Sequence, residues 1–75
     1  MSQYRRIRDL REDSDMTQTQ MAQVLNCFQQ TYSAYERGQQ IIPPDVLIAL
    51  ARFYNTSVDY LLGLTDEKKP YPRVR

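Results

Sequence analysis

Between positions 17 and 38 the chain carries two helix-length segments whose stop and start signals leave only about three residues for the turn between them. That spacing restricts the fold more than any other feature. Thr17 stands three residues ahead of Gln20, the pattern of a capping box in which the hydroxyl accepts from the third helical N–H and the glutamine reaches back. Met21, Ala22 and Leu25 then face one way, and Asn26, a residue tolerant of left-handed backbone, stops the helix. A second helix starting so soon afterwards has to leave at a sharp angle.

Over residues 28–37, a helical wheel advancing about 100° per residue collects Phe28, Tyr32 and Tyr35 on one face. Gln29, Gln30, Ser33, Ala34 and Arg37 fall roughly opposite. The first set is expected to pack and the second to look outward, with Gly38 closing the helix and residues 39–43 forming a loop.

The rest of the chain has the same helical period, with no sustained strand alternation. A first helix is expected over residues 2–13, with Ile7, Leu10 and Tyr4 inward and its arginines outside, followed by a turn at Ser14 and Asp15. Pro44 and Asp45 suit the first turn of a fourth helix, in which Leu47, Leu50, Ala51 and Tyr54 make the buried stripe and Asn55 the stop. Ser57 caps a short fifth helix containing Val58, Leu61 and Leu62, and Gly63 ends it. The expectation is an all-α, five-helix domain over residues 1–64 and a flexible tail over residues 65–75, where prolines and mixed charge replace apolar residues.

With 75 residues there is room for one domain. A single cysteine, Cys27, excludes a disulfide framework or a cysteine pair for zinc, and it suits a reducing, cytoplasmic setting. The absence of histidine removes the usual general base and the commonest metal ligand, and no glycine-rich phosphate loop is present, so an enzyme has little support. Neither a cofactor nor a small-molecule substrate is indicated. No signal peptide or bilayer-length apolar run appears, so no membrane association is expected.

The formal charge is only +1. An indiscriminate phosphate binder would be far more basic, so any nucleic-acid binding has to come from local arrangement. Arg5, Arg6, Arg8 and Arg11 read as a solvated face beside the acids Asp9, Glu12, Asp13 and Asp15, and Lys68, Lys69, Arg73 and Arg75 mark the tail.

The run from Thr17-Gln18 to Tyr35-Glu36-Arg37-Gly38, with the ending Asn55-Thr56-Ser57-Val58-Asp59-Tyr60-Leu61-Leu62-Gly63, resembles the helix-turn-helix domain of the XRE/Cro family, whose members include lambdoid phage repressors and Cro proteins. The resemblance covers roughly residues 4–66 and implies the lambda-repressor-like fold. It also implies a transcriptional regulator, a repressor in many relatives, that binds double-stranded DNA at a near-palindromic operator as a homodimer, with the third helix in the major groove.

The resemblance implies a role for each matching position. Gln29, Gln30, Ser33 and Ala34 match base-contacting positions, and a glutamine amide carries the donor and acceptor that fit the adenine N6/N7 edge. As ordinary helix residues they would simply be solvated. Thr17, Gln18, Thr31, Arg37, Gln39 and Gln40 match phosphate-contacting positions. Arg11 and Glu36 match an ion pair that orients the recognition helix, the alternative being two independent surface charges. Val58, Tyr60 and Leu64 are candidates for the dimer contact, with Tyr60 facing outward, although a scattered exposed aromatic is also ordinary.

Three departures stand out. Gln39, Gln40, Ile41 and Ile42 occupy a loop where many relatives place cations, which implies a shallow salt dependence and weak non-specific binding. Phe28 replaces the usual serine or threonine cap, leaving the orphan N–H groups to Asn26 or a phosphate oxygen. Tyr32 replaces a smaller aliphatic residue, which means either a repacked interior or a phenol reaching the surface. A second functional class also fits: an antitoxin or interaction module whose tail folds onto a partner.

Overall fold

The computed structural model describes residues 5–69, and all regular structure among them is helical: α1 (Arg5–Asp13), α2 (Gln18–Val24), α3 (Gln29–Glu36), α4 (Pro44–Phe53) and α5 (Val58–Leu61). The expected helix start at Ser2, the inward Tyr4 and residues 70–75 of the tail, including Arg73 and Arg75, lie outside the described residues. The punctuation read from the sequence recurs in the backbone. Thr17 and Gln20 form the reciprocal capping box, and the Ser57 hydroxyl accepts from the Tyr60 N–H. Asn26 and Asn55 end their helices at φ 55° and 53°, and Gly38 and Gly63 do so at 71° and 78°. Asp15 also adopts a positive φ, 56°, and makes the turn between α1 and α2.

These stops aim one face of each helix at a common core. Ile7 and Leu10 of α1, Met21 and Ala22 of α2, Tyr32 and Tyr35 of α3, Leu50 and Ala51 of α4 and Leu61 of α5 are buried together. Leu25, Leu47, Tyr54, Val58 and Leu62 are half-buried around them. Ile42 joins the core although it lies in the loop, whereas its neighbour Ile41 is exposed. Tyr32 has no exposed surface, so the sequence departure at that position is a repacked interior.

The structure corrects three expectations. Phe28 does not pack with Tyr32 and Tyr35: it is 79% exposed. As N-cap it has extended backbone (φ −72°, ψ 149°), so its side chain does not follow the helical wheel that places its neighbours. Arg6 and Arg11 are not solvated, because each is drawn inward by acceptors on other elements. Tyr60 does not stand free, since the Arg6 guanidinium covers its ring at 4.2 Å and Arg6 Nη1 donates to its carbonyl at 2.8 Å.

Arg6 also donates to the Thr65 carbonyl and to Asp66, and the Thr56 hydroxyl donates to the Lys68 carbonyl at 2.6 Å. The first residues after α5 are thereby laid back onto the domain, from α1 to the α4–α5 turn.

Candidate nucleic-acid interface

A sharp bend between α2 and α3 brings the N-termini of these helices close enough for their side chains to meet. Arg11 of α1 reaches this corner and forms a two-point fork with Glu36, Nε to Oε2 at 2.7 Å and Nη2 to Oε1 at 3.2 Å, while Nη1 donates to the Met16 carbonyl at 2.9 Å. The side chains are 14% and 3% exposed, so Glu36 is buried and Arg11 half-buried. Gln18 Nε2 donates to Glu36 Oε1 at 3.1 Å, and Gln29 Nε2 donates to Gln18 Oε1 at 2.9 Å.

This relay has a direction. An ionised carboxylate can only accept, so Gln18 must turn its amino group to Glu36 and its carbonyl to Gln29. Gln29 then spends one amide hydrogen on Gln18 and keeps its other N–H and its Oε1 for a ligand, the donor and acceptor required by an adenine edge. The Arg11–Glu36 pair is thereby linked to the Gln29 side chain through two amide orientations.

Glu36 has a further, looser contact from the buried Tyr32 hydroxyl, outside the geometry of a full hydrogen bond. Burial alone would raise its carboxyl pKa, but the Arg11 and Gln18 hydrogen bonds, the Tyr32 hydroxyl contact and the Arg11 charge outweigh burial and hold it below the usual range. Burial raises the Tyr32 phenol, and pushes Tyr54 up to about 12. The signs set a pH window. A carboxyl depressed in the folded state contributes fully above the unfolded value of about 4.3, and its contribution is lost as pH falls through the folded value. The raised tyrosines contribute below about pH 10 and lose that contribution as pH rises through their folded values. In denaturant titrations from pH 7 to 3, Glu36→Gln is expected to lose less stability than the parent; parallel acid limbs would remove Glu36 as their source.

Gln30 is exposed, while Ser33 and Ala34 are half-exposed on the same outer side of α3. Thr17 is exposed, with its oxygen already accepting from the Gln20 N–H. Gln18, Ser33 and Arg37 converge on a shallow depression of about 170 Å³ that also has Arg8 and Arg11 in its wall. Arg8 is the residue that sequence reasoning left in the solvent: it pairs with Glu12 at 3.0 Å on an exposed face. The available signal was its position one turn before Arg11 on the same stripe of α1. Thr31 lies on the other side of α3, in an open depression of about 370 Å³ with Asn26, Cys27 and Phe28. Gln39 and Gln40 are exposed in the loop after α3. Of the proposed dimer residues, Leu64 is exposed and Val58 and Tyr60 are half-buried.

No side chain caps α3 among the described residues, so its first N–H groups point outward beside Gln29 and Gln30. The described residues contain no group of His, Cys, Asp and Glu arranged to hold a metal ion, and no helix long and apolar enough to cross a membrane.

A helix-turn-helix family model matches residues 7–61. The chain is 42% identical over 65 residues to the uncharacterized HTH-type transcriptional regulator YobD of Bacillus subtilis strain 168, covering 87% of this chain and 58% of that protein. It is 36% identical over 69 residues to the HTH-type transcriptional regulator ImmR of the same organism, covering 92% and 54%. It is also 35% identical over 58 residues to the cryptic phage CTXphi transcriptional repressor RstR of Vibrio cholerae, covering 77% and 52%. The chain thus spans little more than half the length of the curated relatives it matches.

Proposed function

The chain belongs to the helix-turn-helix family, and from that premise we propose that it is a sequence-specific, double-stranded DNA-binding transcriptional regulator, a repressor, working in the cytoplasm. In this reading α3 enters the major groove and α2 crosses the phosphate backbone above it. The observation that carries the reading is the relay from Arg11 through Glu36 and Gln18 to Gln29, which leaves a preoriented donor and acceptor beside the exposed amide of Gln30. Binding energy spent on orienting these groups would otherwise be lost on contact with DNA.

Gln29 and Gln30, with Ser33 and Ala34, read base edges. Gln18, Thr17, Thr31, Arg37, Gln39 and Gln40 hold the backbone, joined by Arg8 from the rim of the Gln18 depression. Two copies related by a two-fold axis bind a near-palindrome with recognition helices about 34–36 Å apart, and exposed Leu64, with Val58 and the covered Tyr60 nearby, is the apolar contact proposed between them.

Selection from random duplex DNA followed by titration tests this function. The parent should enrich a near-palindrome; Gln30→Ala should relax one base position per half-site by about 1–3 kcal/mol. Gln18→Ala should weaken all sequences about equally if its only role is phosphate contact, and should also disturb the Gln29 position if the relay matters. Selection without any enriched motif would argue against the repressor and leave the antitoxin reading, in which a protein partner is the ligand.

A further inference from the structure

We propose that Phe28 is a specificity-determining residue that reads a 5-methyl group on a pyrimidine in the major groove, thymine in ordinary DNA. The inference rests on the DNA-binding reading above and extends it to a residue whose sequence pattern points to the core. Phe28 is 79% exposed, immediately precedes Gln29 and Gln30, and leaves α3 without a side-chain cap. A serine or threonine there would satisfy an orphan N–H; phenylalanine forgoes that bond and holds a large apolar ring in water.

The ring borders an open depression of about 370 Å³ shared with Asn26, Cys27 and Thr31, on the side of α3 away from the Arg8 and Arg37 depression. A duplex seated on Gln29 and Gln30 therefore meets a basic rim on one side of α3 and the exposed Phe28 ring, among Asn26, Cys27 and Thr31, on the other. The thymine 5-methyl is the apolar feature that the major groove offers, and aromatic rings are among the groups that contact it. Gln29 and Gln30 on an adenine and Phe28 on a neighbouring methyl would together favour an A·T-rich half-site.

The test begins with the enriched duplex, in which each thymine is replaced in turn by uracil, removing the methyl while leaving the base-pairing edge intact. The parent should lose about fourfold in affinity per half-site at one position, the weight of one buried methyl. Phe28→Ser should remove that difference while raising Tm by about 4–8 °C, because it restores an N-cap; Phe28→Leu should keep the preference for thymine. Cytosine at the same position should bind better when 5-methylated.

Equal binding of thymine and uracil at every position, or discrimination retained in Phe28→Ser, would overturn the proposal while leaving the regulator reading intact. A fall in Tm for Phe28→Ser would place the ring in packing and overturn it as well. Failure to enrich any duplex would overturn both readings together.

Discussion

Glu36→Ala is expected to lose about 3–5 kcal/mol of unfolding free energy, most of what a domain this small has to lose. The size of the effect comes from what remains behind. Arg11 would keep its charge at 14% exposure with no carboxylate to meet it, and Gln18 would lose the acceptor that orients it. The net attraction of the intact pair is much smaller, because desolvation opposes it. Replacing both residues, Arg11→Met with Glu36→Leu, is therefore expected to recover most of the stability while weakening DNA binding through a disordered Gln29. Urea denaturation of the single and double variants separates the two terms: an unchanged midpoint in Glu36→Ala would mean that the pair is solvated.

Tyr32→Ala should be about as damaging, by about 3–5 kcal/mol, through a cavity in the core. Tyr32 has no exposed surface and is the largest fully buried side chain among the described residues, so its removal leaves a void between α3 and the rest of the core. Tyr32→Phe keeps the volume and removes only the hydroxyl beside Glu36. Its expected mark is a small rise in the Glu36 carboxyl pKa with little change in stability at neutral pH. Thermal melts distinguish the outcomes, and an alanine variant that melts with the parent would show a core loose enough to collapse.

Helix ends and the packing stripes were legible in the sequence because each depends on nearby residues. Thr17 with Gln20, Asn26, Asn55 and Gly63 act on backbone within a few positions, and the stripe of Met21, Ala22, Leu50 and Leu61 follows from one period. Phe28 defeated the same reasoning because a wheel assumes helical backbone, and an N-cap lacks it. Arg6 was misread for a different reason: its partners, Tyr60, Thr65 and Asp66, lie far along the chain, and no local pattern announces them. Arg11 with Glu36 was reached only through the family resemblance, and the directional relay from Glu36 to Gln29 only through side-chain geometry.

The Arg6 contacts also bear on the order of events in folding. They join positions 54 to 60 apart, from Arg6 to Tyr60, Thr65 and Asp66, so the intervening chain has to be arranged before they add anything. The α2–α3 corner, closed by neighbours, carries no such delay. A clasp absent from the rate-limiting step leaves the speed of folding alone and acts instead on how long the native state survives, as a latch rather than a nucleus.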